Sequence, residues 1–86
     1  MGNVRKLTPI NVRGTLADGD TFTAPVNCDV LIACTSGTLT VQQTINGVFY
    51  NNPVTIPVNT YLTLNDLFQN EQFKITGGTA AYHAYA

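Results

Sequence analysis

Residues 28–35 of the chain, CDVLIACT, are its most apolar run and decide the fold class. Successive side chains of an extended strand point to opposite faces. One face of this run carries Cys28, Val30, Ile32 and Cys34. Leu31 and Ala33 make the other face apolar as well. Apolar residues on both faces are typical of a central strand.

The two cysteines, Cys28 and Cys34, lie six residues apart on this predicted strand. At ~3.3 Å per residue they are separated by ~20 Å on the same face, whereas a disulfide spans at most ~7 Å between Cα atoms. We therefore expect two free, buried thiols that pack as small apolar side chains, as fits a reducing compartment. A zinc site would need further ligands, and His83 alone does not supply them.

The rest of the sequence predicts more short strands separated by turns. Residues 38–45, TLTVQQTI, alternate in polarity and predict a half-buried strand, which a turn at Ser36-Gly37 separates from the first. Asn46-Gly47 predicts a type I′ hairpin, because both central residues of that turn need positive φ. Further short strands are expected within residues 7–16, 21–24, 48–50, 54–56, 60–64, 71–76 and 79–86.

Two more predictions complete the fold. Residues 65–70 are expected to form a single helical turn that places Leu67 and Phe68 on the sheet, and Gly77-Gly78 is expected to be a turn. No crossover helix is available to connect parallel strands. The sequence therefore predicts an all-β protein, an antiparallel β-sandwich or jelly roll of seven to eight short strands.

Length and composition predict a single domain that assembles. We place this β-sandwich domain at residues 14–86, after an N-terminal arm at residues 1–13. Charged residues are 10% of the chain, against about 25% in an average soluble protein. The polar surface must come from 13 Thr and 9 Asn, neutral groups that are easier to bury in a subunit contact than Lys or Glu. We therefore expect a homo-oligomer.

The arm holds three of the four basic residues, but the net charge of the chain is −1. That balance is far from the basic surface of a nucleic-acid-binding protein, so no nucleic-acid partner is expected. Pro9 interrupts residues 7–16 and favours an edge strand there. Contact with a neighbouring subunit is expected through Val4, Arg5, Lys6, Leu7, Ile10, Val12 and Arg13.

No spacing of residues points to catalysis, to a metal or to a cofactor. His83 is the only histidine and is expected to be a strand residue paired with a neighbouring Thr or Tyr, not a catalytic base. Asp18 and Asp20 flank Gly19 in a predicted turn, and two carboxylates fall short of the roughly six to eight oxygens that calcium prefers. Carbohydrate recognition would need exposed aromatic rings. The candidates are Tyr50, Tyr61, Tyr82 and Tyr85.

Targeting signals are also missing from the sequence. No apolar run approaches the roughly 20 residues of a membrane helix. The N-terminal residues 1–6, MGNVRK, are not followed by the apolar stretch of a signal peptide. We expect no membrane partner and synthesis in the cytoplasm.

Several stretches resemble small β-sandwich virion proteins of tailed bacteriophages. They are residues 19–25 (GDTFTAP), 29–32 (DVLI), 37–42 (GTLTVQ), 46–47 (NG) and 73–78 (FKITGG). The resemblance implies a non-enzymatic structural subunit of the virion, made in the host cytoplasm, whose N-terminal arm contacts a neighbouring subunit or a capsid or other virion protein. Such proteins serve as head decoration (cement) subunits or as small fibre and neck components, usually as trimers or higher cyclic assemblies. A carbohydrate-binding adhesin module of a phage fibre is the alternative.

Overall fold

The structure, a computed structural model, describes residues 9–45, 48–49 and 53–86. These residues contain no helix, and so none long and apolar enough to cross a membrane. All pairings between their strands are antiparallel. The strands are β1 (Asn11–Leu16), β2 (Thr21–Thr23), β3 (Cys28–Ile45), β4 (Val48–Phe49), β5 (Val54–Pro57), β6 (Tyr61–Leu67) and β7 (Gln72–Tyr85).

Two long strands, β3 and β7, form the centre of the fold and lie side by side along most of their length. On the outer edge of β7, β1 pairs with its second half and β2 with its first half. On the outer edge of β3, β6 pairs with the first half of the strand and β5 with the second half. This gives two four-stranded layers, β1–β7–β3–β6 (the β6 layer) and β2–β7–β3–β5 (the β5 layer). The connectivity is that of a jelly roll, so the all-β prediction is confirmed.

The predicted turns at Ser36-Gly37 and Gly77-Gly78 are wrong, because both pairs lie inside the long strands. There the pairing register shifts, first between Cys34 and Ser36 and again between Gly37 and Thr40. Gly37 and Gly77 have φ of 70° and 85°, which glycine adopts without steric cost. We name Gly37, Gly77 and Gly78 the glycine bend. A bulge adds a residue and increases the bending of a strand, so one strand can serve both layers.

The bulge also keeps the apolar side chains on the inside. Before the glycine bend, β3 buries even-numbered residues up to Cys34, and after it β3 buries Leu39 and Val41. In β7 the same change of parity separates Ile75 from Ala80. Each layer therefore turns an apolar face toward the other, as the alternation of the sequence predicts.

Three tight turns share one design. In the turns that begin at Ala17, Pro57 and Phe68, the fourth amide donates a hydrogen bond to the first carbonyl oxygen. The third residue of each turn has positive φ, a conformation that glycine and asparagine tolerate well. The three residues are Gly19, Asn59 and Asn70.

The helical turn predicted over residues 65–70 is wrong. β6 continues to Leu67, which pairs with Cys28, and Asp66 and Asn70 have φ of 59° and 73°. Positive φ is incompatible with a right-handed helix. Leu67 is buried as expected, whereas Phe68 is 54% exposed.

The domain begins earlier than the sequence suggests. β1 starts at Asn11, three residues before the predicted boundary, because Asn11 pairs with Tyr85 and extends the ladder. Ile10 packs against the core, and its carbonyl oxygen accepts a hydrogen bond from the Ala86 amide at 3.2 Å. Of the predicted contact residues, Ile10, Val12 and Arg13 therefore belong to the domain. The others, Val4, Arg5, Lys6 and Leu7, lie outside the described residues, as does the predicted Asn46-Gly47 turn.

Aromatic rings join the two layers in the core. Phe22 of β2 stacks on Phe73 of β7 with ring centroids 5.1 Å apart. Phe22 also contacts Tyr82, on the other half of β7, at 5.0 Å. Cys28 and Cys34 lie buried in the same core and are not joined by a disulfide, which confirms the prediction from their spacing.

Burial should make both thiols unreactive. We expect neither Cys28 nor Cys34 to be labelled by a thiol reagent in the native protein, and both to be labelled in denaturant. A Thr35→Cys variant provides the matched control, because Thr35 is exposed next to Cys34 and its replacement should be labelled at once. Rapid labelling of the unmodified native protein, measured by intact mass, would contradict the buried placement.

Candidate functional site

The outer face of the β5 layer is polar. Its inward positions include Leu39, Val41 and Ile75, so the alternate positions face outward. Threonine and glutamine dominate them, with a single lysine. They are Thr21, Thr23, Thr40, Gln42, Thr55, Gln72, Lys74 and Thr76.

The outer face of the β6 layer is more apolar. Leu31 and Ala33 of β3 face outward, and Ala33 lies between Ala81 on β7 and Tyr61 on β6. Tyr61 is 70% exposed. One face of an antiparallel sandwich usually meets water with polar side chains, so the apolar patch that Leu31, Ala33, Ala81 and Tyr61 form on this face needs an explanation.

A groove of about 330 Å³ crosses this face. Its floor contains the directly opposed pair Ala33 and Ala81, whose small side chains leave a depression between larger neighbours. At one side Arg13 of β1 lies opposite His83 of β7, so the groove carries a cationic group beside its apolar floor. The lining residues are Arg13, Leu31, Ala33, Ala81, Tyr82 and His83.

His83 is held by a neutral partner. Its Nε2 lies 2.7 Å from Asn11 Oδ1, and because that amide oxygen is an acceptor, the Nε2–H donates. The imidazole also lies against Tyr85, with ring centroids 5.1 Å apart. The expected strand histidine is thus oriented by an amide and a ring, whereas the histidine of a Ser-His-Asp triad is oriented by a carboxylate.

Asp18 and Asp20 serve the backbone. Asp20 Oδ2 accepts a hydrogen bond from the Ala17 amide, and Asp18 Oδ1 accepts one from the Gly77 amide, each at 2.8 Å. The second contact ties the β1–β2 turn to the glycine bend. Among residues 9–45, 48–49 and 53–86 there is no cluster of three or more His, Cys, Asp or Glu that would suit a metal ion.

The tyrosines proposed for carbohydrate contact are separated by the structure. Tyr82 is partly buried against Phe22 in the core. Tyr61 and Tyr85 are exposed on the outer face of the β6 layer, near the groove. Tyr50 lies outside the described residues.

The groove itself is missing from the sequence-based predictions. It depends on Ala33 and Ala81 facing each other, and these residues are 48 positions apart in the sequence. The available signal was the pair of small outward positions, one in each of two predicted strands. Without the register, that signal does not identify a groove.

Comparison with known proteins gives a likeness of fold. No protein-family model and no curated protein matches the chain. A solved structure that it resembles is peruvianin-I, a cysteine peptidase from Thevetia peruviana latex, with a TM-score of 0.51 and 15% identity. The match covers 86% of this chain and 47% of the other, so the chain spans about half the length of that protein. At this identity, what the comparison supports is that the two chains share a β-rich fold.

Proposed function

We propose that the protein is a non-enzymatic structural virion subunit of a tailed phage. In this proposal it self-associates as a cyclic oligomer, with a trimer favoured, and binds the capsid shell as a decoration or cement protein. The observation that carries the self-association is the difference between the two outer faces. The phage setting comes from the sequence stretches that resemble small virion proteins, and the virion is accordingly the proposed location.

The apolar outer face has the chemistry of a subunit contact. Interface centres are depleted of charged residues and enriched in tyrosine. Leu31, Ala33 and Ala81 supply the apolar surface here, and Tyr61 adds a large exposed ring. Burial of such surface stabilises an assembly by about 25 cal/mol per Å² of apolar area before the costs of association.

The neighbouring edge strand supports the same conclusion. β1 pairs with β7 alone among the described strands, so no described strand covers its other edge. Val12 of β1 is 43% exposed although its partner Ala84 is buried. Unprotected edges favour pairing with another chain. A subunit that covered the groove beside Arg13 would also cover this edge.

The fold is compatible with more than one role. Jelly rolls occur in viral capsid proteins, in lectins and in cupins, so the fold does not decide between them. A carbohydrate-binding fibre adhesin is therefore the second candidate. The observation that favours it is the position of Tyr61 and Tyr85, exposed on the face that holds the groove. Glycan-array binding that is lost in Tyr61→Ala would select this alternative.

Light scattering coupled to size exclusion tests the proposed assembly. At tens of micromolar we expect a single species of about three times the monomer mass, and co-sedimentation with capsids of the source phage. A monomer at all concentrations would contradict self-association. An oligomer that fails to sediment with capsids would retain self-association and remove the decoration role.

A further inference from the structure

We infer, resting on the proposed cyclic assembly, that the groove of each subunit receives Phe68 of the next subunit. The turn at residues 68–71, here named the Phe68 turn, is the projecting part. The groove lined by Ala33, Ala81 and Arg13 is the receiving part. The partner is a second copy of this chain.

Cyclic closure requires two different surfaces. A two-fold dimer joins identical patches, but a ring of three or more joins one patch to another patch of the neighbouring subunit. The apolar groove must therefore meet a second surface of the chain. That surface should be exposed and apolar, and it should be acidic because the groove carries Arg13.

Among the described residues, Phe68 meets these conditions. Among the described side chains, large apolar ones are exposed at seven positions: Val12, Val48, Val54, Val58, Tyr61, Phe68 and Tyr85. Val12, Tyr61 and Tyr85 belong to the groove face or its edge. No carboxylate occurs between residues 30 and 65, where Val48, Val54 and Val58 lie. Phe68 stands between Asp66 and Glu71.

The Phe68 turn is held in place by its backbone. Glu71 Oε1 accepts a hydrogen bond from the Phe68 amide at 2.6 Å, and the Glu71 amide donates to the Phe68 carbonyl oxygen at 2.9 Å. The amides of Gln69 and Asn70 donate to Asn27 Oδ1 and to the Ala24 carbonyl oxygen, each at 2.8 Å. A preformed contact loop loses less conformational entropy on binding.

The size of the groove and its distance from Phe68 of the same subunit also agree with this contact. A cavity of ~150 Å³ is sufficient for benzene, so a groove of about 330 Å³ has room for the Phe68 ring. In its own subunit, the ring follows Leu67, which pairs with Cys28. The groove floor at Ala33 is five residues further along β3, a distance of ~16 Å. The groove is therefore left for a neighbouring copy.

Two surface variants test the contact by light scattering. Phe68→Ala removes the projecting ring, and Arg13→Glu places a carboxylate opposite Asp66 and Glu71. Each is expected to weaken assembly at least about tenfold, equivalent to ~1.4 kcal/mol, and to run as a monomer at tens of micromolar. Lys74→Glu makes the same charge change on the outer face of the β5 layer and should leave the oligomer intact.

Mixing the two variants distinguishes the geometry. Arg13→Glu retains the Phe68 turn, and Phe68→Ala retains the groove, so an equimolar mixture should form a heterodimer and grow no further. Wild-type-like assembly of both single variants would overturn the inference and leave the proposed oligomer standing, as would dissociation without heterodimer formation on mixing. A monomeric wild-type protein would overturn both.

Discussion

Replacing Gly78 by alanine is expected to lower the melting temperature by roughly 10–25 °C, which corresponds to a loss of about 3 kcal/mol. A Cβ at this position would clash with the Ser36 carbonyl oxygen, which belongs to the backbone of the neighbouring strand. The strand cannot move away without breaking the ladder between β3 and β7. For a domain of this size the total stability is roughly 4–13 kcal/mol, so the variant should lose between about a quarter and three quarters of it.

Gly19→Ala is the matched control. Gly19 has φ of 90° but no atom within 4 Å of an added Cβ, whereas Gly78 has no positive φ and a severe backbone clash. In Gly19→Ala only the positive φ is unfavourable, and it should lower the free energy of unfolding by about 1–2 kcal/mol. Thermal unfolding followed by circular dichroism compares the two variants. A larger loss of stability in Gly19→Ala than in Gly78→Ala would mean that positive φ matters more than the close approach of the two strands at Gly78.

The glycine bend shows what the sequence leaves undetermined. The period of two identified Cys28, Val30 and Ile32 as one buried face, because that pattern depends on local geometry alone. A glycine within an apolar pattern signals either a turn or a bulge. The choice depends on contacts such as Gly78 against Ser36, which join residues 42 positions apart. The strand count was therefore close to correct, while two predicted turns proved to be bends within β3 and β7.

Local ambiguity also explains the error over residues 65–70. Asn65 and Asp66 are good helix caps, but asparagine and aspartate also tolerate the left-handed conformation of turns. The pairing of Leu67 with Cys28 decides the matter, because it commits the segment to the edge of the sheet. The candidate contact loop then follows from the structure and not from the sequence.

The fold and the candidate contact have a common origin. The register set by the glycine bend places Ala33 opposite Ala81, which forms the floor of the groove. The hydrogen bond from the Gly77 amide to Asp18 fixes the β1–β2 turn to the same bend, and β1 carries Arg13. A change in the bend should therefore alter the groove as well as stability. A destabilised Gly78 variant that still folded should assemble less well than one with equal loss of stability elsewhere.

Phe73→Ala is expected to lose about 3–5 kcal/mol of unfolding free energy, because the side chain is fully buried and its removal leaves a cavity. The ring stacks on Phe22, which in turn contacts Tyr82, so the cavity would open where the two layers meet. Phe68→Ala removes the same ring from an exposed turn, and there we expect a change within about 0.5 kcal/mol.

The two variants therefore carry the same Phe→Ala change but should affect different properties, stability for Phe73→Ala and assembly for Phe68→Ala. Phe73→Ala should shift the denaturant midpoint strongly, and any loss of assembly should follow its unfolding. Phe68→Ala should leave the midpoint of the monomer unchanged and still abolish the oligomer. Chemical denaturation at a protein concentration too low for assembly measures the stability of the monomer alone, and light scattering at higher concentration measures assembly. Equal destabilisation by both variants would mean that Phe68 packs against its own subunit, and it would remove the structural basis for a contact with the next one.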